Sequence, residues 1–189
     1  IGPNCLGLLR PSLGLNATFA RCGAKAGSVA LVAQSGAVVA SALDYAAGAG
    51  FGFSTVVSTG TGADVNFSDV LDFLALDNET RSIVLYIEGV RDARAFMSSV
   101  RAAASAKPVI VLKVGRHRAG SKAALSHTGA LAGNDAVFAA ALRQAGAIRV
   151  HAFDQLFGAA QTLAAGRLPA VPSGMARLAV LTNGGGPGV

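Results

Sequence analysis

Short, uninterrupted apolar runs alternate along this chain with longer stretches whose apolar residues recur at helical spacing. Val29 to Ala33, Thr55 to Ser58, Ile83 to Ile87, Val109 to Val114 and Ile148 to Val150 are β-branched runs with no polar face. Runs of this kind predict strands covered on both sides. Between them, residues 37–47, 67–76, 92–106 and 153–165 predict helices, with a further helix capped by Asn134 or Asp135. Val70, Leu71, Phe73 and Leu74 form the apolar face of the second helix, Ala95, Phe96, Val100 and Ala103 that of the third. Val137, Phe138, Ala141, Leu142 and Ala145 form a stripe on the fourth. Gly48 and Gly50 stop the first helix.

Strand and helix alternating five times predict an α/β fold: a doubly wound, mostly parallel five-stranded sheet with helices on both faces. Right-handed crossovers bring every loop that follows a strand to one edge of the sheet. That edge is expected to gather Gln34-Ser35-Gly36, the loop from Ser58 to Asp64, Glu88-Gly89 and the long loop of residues 116–133. The pattern divides the chain into three parts. Residues 1–27, with turn signals at Gly2-Pro3-Asn4 and Arg10-Pro11-Ser12, read as an irregular linker or the tail of a preceding domain. Residues 28–166 form the α/β domain, and 167–189 read as a linker and the first strand of a following domain. The chain opens on Ile1 and closes on a glycine-rich turn after a strand-like run, so it reads as a segment of a longer polypeptide.

Composition narrows the classes. Of the 189 residues, 52% are apolar, which excludes a disordered chain. No apolar run reaches the roughly 20 residues of a membrane span, and no signal peptide opens the chain, so the expectation is a soluble cytoplasmic protein with no membrane partner. Cys5 and Cys22 fit neither a metal spacing nor a disulfide framework, and the scattered His117, His127 and His151 suggest no metal site. The net charge is +6. No acidic residue occurs between Asp92 and Asp135, an interval that holds Lys113, Arg116, Arg118 and Lys122 among its basic residues. Such a segment favours anionic ligands, or is a solvated basic face. No nucleic-acid motif accompanies the charge, so nucleic acid is not expected as a partner.

The candidate chemistry centres on Ser126-His127-Thr128-Gly129-Ala130, in the loop after the fourth strand. A neutral imidazole offers a lone pair near pH 7 and attacks a phosphoryl group without prior activation. Thr128 and Gly129 are small enough to admit a bulky anion. On spacing alone, a loop histidine held by a structural hydrogen bond fits as well. Glu88 ends the neighbouring strand, where a carboxylate can orient an imidazole, although a surface glutamate is equally consistent. Ser35-Gly36 opens a helix whose free N–H groups make an anion site, or simply forms a tight turn. The turn lacks the lysine of a Walker loop. Gly60-Thr61-Gly62 is followed by Val65 where a dinucleotide fingerprint needs glycine, and no nucleophile elbow G-x-S-x-G occurs.

Gly2-Pro3-Asn4-Cys5-Leu6-Gly7, Gln34-Ser35-Gly36, Tyr86-Ile87-Glu88-Gly89 and Ser126-His127-Thr128-Gly129-Ala130 occur in that order. Together they resemble the ligase domain of NDP-forming acyl-CoA synthetases, a flavodoxin-like domain related to the succinyl-CoA synthetase α subunit. The resemblance implies that acyl-CoA and phosphate give an acyl phosphate and CoA, and that the phosphoryl group passes through His127 to ADP. It implies that Glu88 orients His127, that Ser35, Gly36, Thr128 and Gly129 hold phosphate, and that Asn4 and Cys5 lie toward CoA. It also implies partner domains, in the same chain or a second subunit: a CoA-binding domain before residue 1 and an ATP-grasp domain that binds ATP or ADP with Mg. The rival reading is a regulatory, acyl-CoA-sensing domain of a protein lysine acetyltransferase. Such domains typically replace the histidine, which this chain retains.

Overall fold

The predicted strand runs lie in one sheet, and two further strands extend it. The computed structural model describes residues 1–115 and 134–166. The strands are β1 (Gly7–Arg10), β2 (Leu15–Thr18), β3 (Ala26–Ala33), β4 (Phe53–Ser58), β5 (Ser82–Ile87), β6 (Val109–Lys113) and β7 (Ile148–Val150). The helices are α1 (Gly36–Ala49), α2 (Phe67–Leu76), α3 (Ala93–Ala106), α4 (Asp135–Gln144) and α5 (Phe153–Ala164). The sheet order is β2-β1-β4-β3-β5-β6-β7. From β4 to β7 all pairings are parallel, whereas β1 runs antiparallel to both β2 and β4.

The helices form a layer on each face. Val39, Leu43 and Ala46 of α1 and Leu156 and Ala160 of α5 pack on Leu31, Val56, Val84 and Leu112. On the other face Leu71 and Leu74 of α2, Phe96 and Val100 of α3 and Leu142 of α4 pack on Val32, Leu85, Ile87 and Val111. Alternate residues of each central strand thus enter opposite cores, which is why these strands show no polar period. The helix starts follow local chemistry. Asn66 and Asp69 form a reciprocal capping box on α2, Asp92 accepts from the Ala95 N–H at 2.9 Å, and Asn134, rather than Asp135, caps α4.

The expected sheet of five strands has seven among the described residues. The segment before residue 28 contributes β1 and β2 instead of running irregularly. β1 is four residues long, between Gly7 and the turn at Pro11, and its partner β4 lies more than 40 residues downstream. Leu8, Leu9 and the short hairpin to β2 are too little alternation to mark such a strand. What fixes it is visible only in three dimensions: Arg10 donates to both carboxylate oxygens of Asp77, at 3.2 and 2.7 Å, and to Thr55 Oγ1 at 3.1 Å.

Burial alone would raise the Asp77 pKa, but hydrogen bonds from Arg10 and Thr80 and the guanidinium charge outweigh it and hold the carboxyl below its ordinary value. A carboxyl lowered in the folded state stabilises fully above the ordinary range, and that contribution is lost as the pH falls through the lowered value. Arg10→Ala is therefore expected to destabilise the chain by about 2 kcal/mol at pH 7, because it strands a largely buried carboxylate. Urea unfolding at pH 7 and pH 3 checks this, with a smaller difference between variant and wild type at the lower pH.

Candidate active site

Among the parallel strands, the chain steps outward from β3 to β4 and then returns to β5 on the other side of β3. The crossovers after β3 and β5 therefore diverge, leaving a crevice between the carboxyl ends of those two strands, and ligands of open α/β sheets bind in such crevices. A cavity of about 480 Å³ lies there, lined by Asn4, Cys5, Gln34, Ser35, Gly36 and Glu88 among others. Each candidate site residue that the structure describes thus borders the same cavity. His127, Thr128 and Gly129 lie outside the described residues.

Each wall has a local cause. Ser35 caps α1: its Oγ accepts from the Val38 N–H at 3.4 Å and its carbonyl from the Val39 N–H at 3.2 Å. The N–H groups of Gly36 and Ala37 then have no acceptor among the described residues and open onto the cavity edge at the positive end of a 14-residue helix. Such an end suits an oxyanion. Gly36 also admits Leu6 closely, since a Cβ at position 36 would stand 3.2 Å from the Leu6 Cβ.

The second wall is the segment before β1. The Leu6 N–H donates to the buried Ser58 Oγ at 2.9 Å, Thr61 N–H to the Pro3 carbonyl at 3.0 Å, and Ala63 N–H to the Gly2 carbonyl at 3.0 Å. These bonds lay Pro3 to Leu6 along the loop after β4 and carry Asn4 and Cys5 to the cavity. Gly60, at φ +57°, makes the approach feasible, because any Cβ there would overlap the Pro3 and Asn4 carbonyl oxygens.

The sequence gives Gln34 no role of its own beyond its place in the Gln34-Ser35-Gly36 motif. Its Oε1 accepts from the N–H groups of Glu88, at 2.6 Å, and Gly89, at 2.9 Å. One side chain thereby bridges the ends of β3 and β5 and sets where the half-buried Glu88 begins. The available signal was its place as the first polar residue after a fully buried strand. Beneath Glu88, Tyr86 is pushed up to about 12, first by burial and second by the Glu88 carboxylate. Its phenol therefore stays neutral and is no proton donor to be counted at neutral pH.

Lys113, read from the sequence as part of a basic run, is buried at the end of β6. Its Nζ donates to the Val114 carbonyl at 3.1 Å and lies 5.5 Å over the Phe138 ring. Burial, then Arg149, outweighs the pull of Asp135 and lowers its pKa. Arg149 pairs with Asp135 at the start of α4. The two ends from which residues 116–133 depart are thus anchored in one charged cluster. Among the described residues, no three His, Cys, Asp or Glu side chains are grouped to hold a metal, and no helix is long and apolar enough to cross a membrane.

Comparison with known proteins places the chain in a family. Residues 26–163 match the family model described as the succinyl-CoA ligase like flavodoxin domain. The chain is 43% identical over its whole length to an ADP-forming acetate–CoA ligase I of Archaeoglobus fulgidus, covering 27% of that protein. It is 41% identical over its whole length to the α subunit of ADP-forming acetate–CoA ligase II of Pyrococcus furiosus, covering 40%. Among solved structures, the dinucleotide-forming acetyl-coenzyme A synthetase 1 of Ca. Korarchaeum cryptofilum, in complex with phosphate and ADP, superposes with a TM-score of 0.81 and 36% identity. That match covers 87% of this chain and 36% of the other. The chain therefore spans between about a quarter and two fifths of the length of these proteins.

Proposed function

Because the chain belongs to the succinyl-CoA ligase like flavodoxin domain family, we propose that it is the phosphoryl-transfer segment of an NDP-forming acyl-CoA synthetase. The observation that carries this reading is the cavity where the strand order reverses, bordered at once by the open start of α1, by Glu88 and by the Asn4–Cys5 segment. ADP-forming acyl-CoA ligases among the relatives support it. No described feature favours the regulatory acetyltransferase-linked reading.

In the proposed cycle, phosphate displaces CoA from acyl-CoA, giving an acyl phosphate and the free thiol. The His127 imidazole takes the phosphoryl group and releases the carboxylic acid. Phosphohistidine then passes the group to a nucleoside diphosphate, and the imidazole is regenerated. Each step is reversible, so acid, CoA and NTP give acyl-CoA, NDP and phosphate. The N–H groups of Gly36 and Ala37, with Ser35 fixing the turn, stabilise the phosphoryl oxygens at the α1 start; Thr128 and Gly129 complete the cradle. Glu88 is a positioning residue that holds the imidazole tautomer and stabilises charge on the ring. Asn4 and Cys5 face the CoA side. The nucleotide and its Mg belong to an ATP-grasp domain, and CoA to a further binding domain, in the same chain or a partner subunit.

The experiment is a rapid-quench assay of the full-length protein with acyl-CoA, phosphate and ADP. Glu88→Gln is expected to slow phosphohistidine formation by roughly 10²-fold while leaving the KM for acyl-CoA and the unfolding midpoint near wild type. A rate equal to wild type removes Glu88 from this role, and absence of any ATP formation by the wild type overturns the function.

A further inference from the structure

The side chain of Gln34 spends only half of its hydrogen-bonding capacity on the bridge to β5. Its backbone N–H donates to the Tyr86 carbonyl at 3.3 Å, and its Oε1 accepts from the Glu88 and Gly89 N–H groups at 2.6 and 2.9 Å. Backbone N–H groups only donate, so the atom that faces them is the amide oxygen and never the amide nitrogen. Those two bonds therefore fix which way the amide is turned. Nε2 is left facing away from the end of β5, and it makes no hydrogen bond to a described residue.

The choice of an amide at this position has a chemical meaning. A glutamate of the same length would accept the same two N–H groups, and a charged acceptor makes the stronger bonds. Bridging alone thus gives glutamine no advantage over glutamate. What the amide has and a carboxylate lacks is a donor. Gln34 borders the cavity of about 480 Å³ together with Gly36, Ala37 and Glu88. It immediately precedes the turn whose Gly36 and Ala37 N–H groups open onto that cavity, so its donor adds to theirs. Glu88 brings a carboxylate to the same cavity, and a neutral donor tied to the Glu88 backbone holds an anion there without adding a second negative charge.

We propose that the Gln34 Nε2 donates a hydrogen bond to a phosphoryl oxygen held at the α1 start. Gln34 is then a phosphate-binding residue as well as the bridge between β3 and β5. The inference rests on the ligase reading, which supplies phosphate as the substrate of this cavity.

The test measures initial rates of NTP formation by the full-length protein with phosphate varied. Gln34→Glu keeps both bridging bonds, so its urea midpoint is expected near wild type. Its KM for phosphate is expected to rise at least about tenfold, the scale of a hydrogen bond to a charged group, while its KM for acyl-CoA stays near wild type. An unchanged KM for phosphate overturns the proposal and leaves Gln34 a bridge alone. Gln34→Met separates a lost donor from an added charge, being neutral and unbranched. It is expected to raise the KM for phosphate to a similar extent and to lower the urea midpoint, because two N–H groups lose their acceptor. A KM raised in Gln34→Glu but not in Gln34→Met assigns the effect to repulsion and overturns the proposal. A wild type that forms no NTP counts against the ligase reading, and calorimetric titration of inorganic phosphate into the three proteins then decides Gln34 separately. Weaker binding in both variants supports the contact, whereas equal affinities, or no binding by the wild type, overturn it.

Discussion

His127→Ala is expected to abolish NTP formation from acyl-CoA, phosphate and NDP, a fall of at least about four orders of magnitude, while CoA release from acyl-CoA and phosphate persists. The split follows from which group acts in which step. Displacement of CoA by phosphate needs an oxyanion held against the acyl carbon, a task the proposed cycle gives to the α1 start and the Asn4–Cys5 wall. Transfer onward needs a lone pair that accepts a phosphoryl group near neutral pH, and alanine has none. Of the hydroxyl groups at this end of the sheet, the Tyr86 phenol is held neutral by a pKa of about 12, and the Ser35 Oγ caps α1. Thiol release followed with a chromogenic disulfide, alongside luciferase detection of ATP, separates the two steps. Loss of both together would place residue 127 in binding instead.

Gly60→Val is expected to damage the wall of the cavity severely while leaving the reacting groups untouched. Position 60 combines a left-handed backbone, φ +57°, with backbone oxygens of Pro3 and Asn4 packed where a Cβ would stand. A β-branched residue there both strains the turn and expels the segment that carries Asn4 and Cys5. Gly62 supplies the control, since it has the same φ but a Cβ there meets only ordinary contacts at 3.5 Å. Gly62→Val reports the backbone penalty alone. Gly60→Val is expected to be less stable than Gly62→Val by about 2 kcal/mol, the scale of an overpacked site, and to raise the KM for CoA, which Gly62→Val does not. Urea unfolding and initial-rate kinetics on the two variants measure both differences.

The central sheet was legible because its strands are buried on both faces. Val29–Ala33 and Ile83–Ile87 carry that burial as unbroken apolar runs, and the alternation with helices then implies the common edge. Once the loops share an edge, Ser35-Gly36 and Glu88 must approach each other, and they do across one cavity. What stayed hidden depended on distant partners. β1 has only Leu8 and Leu9 to mark it and is fixed by Arg10 reaching Asp77 across 67 residues. The Gln34 bridge to the Glu88 and Gly89 amides likewise leaves no local trace, because one glutamine after a strand looks the same whether or not it spans to the next. Lys113 shows the converse: its charge reads as surface, but its place in the β6 ladder and the Phe138 ring take it inside.

The most direct measurement exposes the full-length protein to ATP and Mg, digests it without acid, and locates the added phosphoryl group by tandem mass spectrometry. The account predicts an acid-labile, alkali-stable phosphoryl group on the imidazole of residue 127 that vanishes when ADP is added. An acid-stable label, or one on any other side chain, would contradict it.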